Sequence, residues 1–148
     1  MRLISLLVAA IGLVAAAYIQ PAIAKDKSLY ERLGGYDAIA AVADDFLGRL
    51  EKDEKLGRFF QGVSDDSVIR IRQHVVDLVC AQTGGPCKYT GRDMKTSHAG
   101  LGITKQDWER SNMRFGETLA KFNVPEKEQK ELAGLLAPLE KLIVDSGS

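Results

Sequence analysis

The apolar residues of this chain follow two rhythms. From Leu3 to Ile19 they form an almost unbroken run behind a single basic residue, Arg2. Beyond Lys25 they recur every three or four positions, the spacing that lays one apolar stripe along a helix. Ser28 and Glu31 in "SLYERLGG" form a capping box that opens a short helix, and Gly34-Gly35 close it. Ile39, Val42, Phe46 and Leu50 predict a second helix from about Tyr36 to Leu50. A polar connection carrying Phe59-Phe60 leads to a third helix from about Asp66, with Val68, Ile71, Val75, Leu78 and Val79 on its apolar face. "TGGPCKYTGRDM" breaks the rhythm with glycines and a proline, and "RDMKTSH" is a weak helical turn. Thr104 and Asp107 form a second capping box, opening a helix expected to bury Trp108, Phe115, Leu119 and Phe122. "NVP" is a turn, with Pro125 suited to a first helical position. The last helix carries Leu132, Leu135, Leu136, Leu139 and Leu142 and should kink at Pro138, which removes an amide donor. No strand pattern survives, so the expectation is an all-α domain over residues 25–148.

The early apolar run belongs to something else. Pro21 ends it, and Ala22-Ile23-Ala24 has the small-x-small form of a signal-peptidase site. Residues 1–24 therefore read as an export signal, and the expected location is periplasmic. The alternative is an uncleaved membrane anchor, since the run is near the lower limit for spanning a bilayer. Twenty basic residues balance twenty acidic ones. No basic stripe with interleaved aromatics occurs, which argues against a nucleic-acid partner.

Candidate chemistry rests on two cysteines and two histidines. Cys80 and Cys87 are close enough in sequence to bridge in an oxidising compartment, which could add roughly 2–3 kcal/mol on the chain-entropy model. Spacing alone does not decide between bridged and free thiols, because the bond needs a specific geometry. His74 borders the apolar stripe of the third helix, and His98 follows the glycine-rich break. A zinc site built from both pairs fits poorly: His74 and Cys80 lie about 120° apart around a helix, and neither CxxC nor HxxxH occurs. Haem suits the surroundings better. It needs one neutral imidazole, an apolar pocket with aromatic walls, and basic groups for its propionates. Phe46, Phe60, Trp108 and Phe115 supply walls, and Tyr89, Arg92 and Lys95 stand near His98. The absence of CxxCH excludes c-type attachment.

In order along the chain, "LYERLGG", "DDFLGRL", "RFFQGV", "TGGPCKYTGRDMKTSHAGLGIT" and "FNVPEKEQKEL" resemble the group I truncated globins. The block from Gly84 to His98 is the most specific part. The resemblance implies a two-over-two helical sandwich around non-covalent haem b. It makes His98 the proximal iron ligand, puts Phe60 against the haem face and offers Trp108 to the pocket. Many members carry a tyrosine after the phenylalanine of the second helix, where this chain has Leu47 after Phe46. The family's distal glutamine position falls on Val75, with Ile71 one turn earlier. Bound dioxygen would therefore lack the hydrogen bonds that slow its release, which weighs against nitric oxide dioxygenation. His74 falls where some cyanobacterial members place a second iron-binding histidine, implying bis-histidyl coordination. Its alternative role is a propionate contact or a distal hydrogen-bond donor. The functions that follow are diatomic gas binding (oxygen or nitric oxide), or electron transfer or redox sensing with a redox partner. An enzymatic role remains open, and a haem-free helical adaptor is the reading without the resemblance.

Overall fold

The computed structural model describes residues 26–145, so the expected leader and its cleavage site lie outside the described residues. Among the described residues all regular structure is helical. Helix α1 (Leu29–Arg32) carries the capping box read from the sequence. The Ser28 amide donates to Glu31 Oε2 at 2.7 Å, and the Glu31 amide donates back to Ser28 Oγ at 3.2 Å. Gly34 then takes φ +96°, a left-handed conformation cheap only for glycine, and turns the chain into α2 (Gly35–Lys52). A 3-10 turn (Gly57–Phe60) leads to α3 (Asp65–Gln82), capped by Ser64. The five-residue α4 (Met94–His98) follows the glycine-rich loop, and α5 (Lys105–Lys121) opens on the Thr104–Asp107 capping box as expected.

The last helix departs from expectation. Pro125 sits one position earlier than expected, as the N-cap of α6 (Glu126–Leu136) rather than its first helical residue. Pro138 does more than kink the chain. The missing amide falls in a 3-10 turn (Ala137–Leu139), after which α7 (Glu140–Ile143) starts on a new phase. The leucine stripe read as continuous is split, and Leu135 and Leu142 are exposed while Leu132 is buried. Phe122, expected in the core, is 38% exposed because α5 stops at Lys121 and leaves it in the cap.

Two small cores hold the helices. In the first, Ile39, Ala40 and Ala43 of α2 meet Val76 and Cys80 of α3. The two alanines lack bulk, so the helices approach closely. In the second, Leu29 of α1, Leu119 of α5 and Leu132 of α6 come together. Val76 and Cys80, not the stripe singled out from the sequence, are the fully buried residues of α3. Ile71, Val75, Leu78 and Val79 of that stripe instead face a cavity between the cores. Cys80 and Cys87 are bonded, with S–S 2.00 Å and Cα–Cα 5.7 Å, tying the end of α3 to the loop before α4.

Polar ties fix α2 against α5. Asp53, whose side chain has no exposed surface, ends α2 and accepts from Arg110 Nε at 2.6 Å and Arg114 Nε at 2.7 Å, both on α5. The Lys55 and Leu56 amides also donate to it. Burial alone would raise this carboxyl's pKa. The hydrogen bonds from Arg110, the Lys55 amide, Arg114 and the Leu56 amide outweigh burial and hold it well below the usual carboxylate range.

Candidate functional site

The cavity between the two cores measures about 720 Å³, within the roughly 300–1,000 Å³ range of small-molecule and cofactor sites. Phe46 and Leu47 reach it from α2, Phe59 and Phe60 from the 3-10 turn, and Ile71, His74 and Val75 from α3. Tyr89 and Arg92 come from the loop, His98 from α4, and Trp108 and Phe115 from α5. Residues far apart in sequence, singled out separately, thus line one cavity. Lys95 does not join them; it is exposed on α4, outside the lining. None of Phe46, Phe59, Phe60, Trp108 or Phe115 is fully buried, because each turns a face to the cavity.

Arg70 and Met94 also line the wall and were not expected from the sequence. Arg70 lies four residues before His74, on the same face of α3, and that spacing was the available signal. One of its guanidinium nitrogens donates to Ser67 Oγ at 2.8 Å. Met94 matters through its backbone, which side-chain patterns do not report.

Helix α4 is too short to persist by propensity alone and depends on its cap. Asp93 accepts from the Thr96 amide at 2.9 Å and from the Thr96 hydroxyl at 2.6 Å. These two bonds, the hydroxyl's first, hold the Asp93 carboxyl below its ordinary pKa. His98 closes the helix with Nδ1 2.8 Å from the Met94 carbonyl oxygen. A carbonyl can only accept, so Nδ1 carries the proton and donates. The lone pair of the neutral ring is then on Nε2, the arrangement a metal-ligating histidine needs.

His74 contrasts with it. Its Nδ1 is buried and has no hydrogen-bond partner among the described residues. No protein group fixes its tautomer at that nitrogen. A buried polar atom left so costs about 1–3 kcal/mol. The ring packs edge-on against Tyr89, with centroids 5.8 Å apart and planes at 69°. Tyr89 is itself held, its hydroxyl donating to the Arg92 carbonyl at 2.6 Å. Leu47, Val75 and Ile71 bring no polar side-chain atom to the cavity. A free lone pair on one imidazole, an unpartnered nitrogen on another and aromatic walls fit a flat, apolar, iron-bearing macrocycle.

At the rim, Asp107 accepts from the Thr104 amide at 3.0 Å, the Thr104 hydroxyl at 2.8 Å and Arg58 at 2.7 Å. Burial pushes this carboxyl's pKa up, but those bonds together bring it below the ordinary value. They fix the start of α5 and so the placement of Trp108 one residue on.

A family model for bacterial-like globins matches residues 28–145. The group 1 truncated hemoglobin GlbN of Mycolicibacterium paratuberculosis is 34% identical over 116 residues, covering 78% of this chain and 83% of the relative. Among solved structures, a 2/2 hemoglobin from Synechococcus is 27% identical with a TM-score of 0.68, covering 75% of this chain and 91% of that one. A truncated hemoglobin from Tetrahymena pyriformis, at 23% identity, shares the fold with a TM-score of 0.74, covering 81% of this chain and all of that one. The two-over-two helical sandwich expected from the sequence is therefore the fold. The chain belongs to the group 1 truncated haemoglobins, bacterial-like globins whose cofactor is haem with its iron.

Proposed function

We propose that this protein binds a diatomic gas, oxygen or nitric oxide, with His98 as the proximal ligand of haem b and His74 as a second axial ligand in the resting state. The observation that carries the reading is the His98 Nδ1 bond to the Met94 carbonyl, which leaves Nε2 free for iron. Haem iron supplies the coordination position at which a gas binds. The chain's own residues do the rest. Phe46, Phe60, Phe115 and Trp108 would exclude water from the macrocycle's faces, while Arg70 and Arg92 would offer donors at its polar edge. With haem bound, His74 would compete with an incoming gas for the iron. Leu47, Val75 and Ile71 offer no hydrogen bond to a gas, so its release is expected to be fast, which weighs against nitric oxide dioxygenation.

A second reading, electron transfer or redox sensing, draws on that same pairing of a free His74 nitrogen with aliphatic neighbours. Two imidazoles kept through a change of iron oxidation state would need little rearrangement. Export to the periplasm is part of the proposal. It is supported by the leader-like sequence of residues 1–24 and by the bonded Cys80 and Cys87, which suit an oxidising compartment. N-terminal sequencing of exported protein would read Lys25 first; retention of residues 1–24 in the membrane fraction would favour an anchor.

Optical and magnetic spectra test the coordination. Ferric protein at neutral pH should be low-spin, and His74→Ala should turn it high-spin. His98→Ala should weaken haem retention and change the spectrum. A high-spin ferric form without substitution would remove His74 from the iron, and an unchanged His98→Ala spectrum would remove the proximal assignment.

A further inference from the structure

His74 and the loop leading to His98 are joined by a covalent bond as well as by contact. Cys80 lies six residues after His74 on the same helix, has no exposed surface, and is bonded to Cys87. Two residues beyond Cys87, Tyr89 lays its ring edge-on against the His74 imidazole. Among the described residues, positions 86–92 make no backbone–backbone hydrogen bond, so no ladder holds this stretch in place. Around the bridge there is no slack. A Cβ added at Gly85 would fall 2.5 Å from the Tyr30 ring and 2.6 Å from Cys80 Sγ. Tyr89's own ties, its hydroxyl bond to the Arg92 carbonyl and its ring against Gly91, lie within this same stretch, so its placement leans on one disulfide, on the packing of Cys87 against the α2–α3 core, and on α4 beyond it. Segments held by so few contacts open locally at low free-energy cost.

We propose that the Cys80–Cys87 bridge is a thiol-sensitive control on His74. While bonded, it presses Tyr89 against the imidazole and keeps the ring set for the iron; once reduced, it lets the loop relax and an incoming gas displaces His74 more readily. The inference rests on the reading of His74 as an iron ligand given above. The reductant is a dithiol. One of its thiolates attacks Cys87 Sγ, the protein S–S bond breaks and Cys80 leaves as a thiolate that takes a proton. The second dithiol sulfur then attacks the mixed disulfide, releasing Cys87 as a thiol. Two electrons and two protons pass to the protein, and the dithiol becomes a cyclic disulfide.

The test uses the mature holoprotein, its iron reduced photochemically so that the bridge stays intact, with carbon monoxide as the probe gas. Cys87→Ser and, separately, Tyr89→Ala with the bridge retained should each raise the rate of carbon monoxide binding by roughly two- to tenfold, the range that one edge-to-face ring contact is worth. Each should also raise the high-spin share of the ferric spectrum. Dithiothreitol should speed hydrogen exchange of the Gly85 amide, which donates to the Cys80 carbonyl at 2.8 Å beside the bridge, in the unsubstituted protein. If His74→Ala speeds carbon monoxide binding while Cys87→Ser and Tyr89→Ala leave it unchanged or slow it, the control is overturned and the ligand reading stands. If His74→Ala itself changes neither rate nor spectrum, the ligand reading falls and takes the control with it. Exchange of the Gly85 amide that ignores dithiothreitol also overturns the proposal.

Discussion

Asp53 is a charge with no exposed side-chain surface, tolerated because two guanidinium groups and two amides surround it. Folding lowers its pKa below the ordinary carboxylate value of about 3.9. Its contribution to stability is therefore fully present above that unfolded value and is lost as pH falls through the folded one. Asp53→Ala is expected to destabilise the neutral-pH fold by about 2 kcal/mol, less than for a fully enclosed pair because Arg110 and Arg114 can rehydrate. Denaturant melts at neutral pH and below pH 4 would check both points. Stability should drop in the substituted protein, and its further fall in acid should be shallower. The sequence hid this residue inside a polar connection, "EKDEKLGRFF", where nothing separates a buried aspartate from a solvated one. His98 was easier to find, as one of only two histidines and next to a glycine-rich break. Its readiness as a ligand was not visible, since that depends on a backbone carbonyl four residues earlier.

Among elements, α2 and α5 were legible because long helices repeat their apolar spacing and α5 announces its start with a capping box. Helix α3 was legible as a helix but not as a surface. Its apolar residues serve two neighbours: Val76 and Cys80 seal against α2, while Ile71, Val75 and Leu78 line the cavity. Periodicity reports an apolar stripe without saying whether protein or cofactor covers it. The α6–α7 stretch was misjudged for a local reason, since Pro138 starts a 3-10 turn and resets the phase. Helix α4 is where an element decides the chemistry. Asp93→Ala removes the acceptor for both Thr96 donors, so the stub that presents His98 should fray. The expected result is several-fold faster haem transfer to an acceptor apoprotein with helix content nearly unchanged, since only five residues are involved. A transfer rate equal to the parent's would show that α4 needs no cap.

At the scale of the molecule, most of the aromatic side chains among the described residues stand around the cavity rather than inside a core. The fully buried positions are small or aliphatic, with Leu132, Val76, Thr118 and Cys80 the largest of them. Much of the apolar burial open to this fold is therefore shared with its cofactor. Haem should raise the melting temperature by mass action, by about 10 °C at concentrations near a hundred times its Kd. Calorimetry of haem-free and loaded protein would measure the difference, and equal melting points would count against haem lying along those aromatic faces. The overall arrangement was legible chiefly through the Gly84–His98 block, which carried more than composition could. How the cavity wall is closed was not legible, because α4 packs on α7 and the Asp145 amide donates to the Ile103 carbonyl at 2.9 Å.

That last contact sets an order of events in the cell. Translation runs upward in residue number, so His98 leaves the ribosome well before the segment through Asp145 that steadies its helix. The pigment should accordingly be held only once the segment through Asp145 has docked, and chains truncated short of residue 140 should stay colourless.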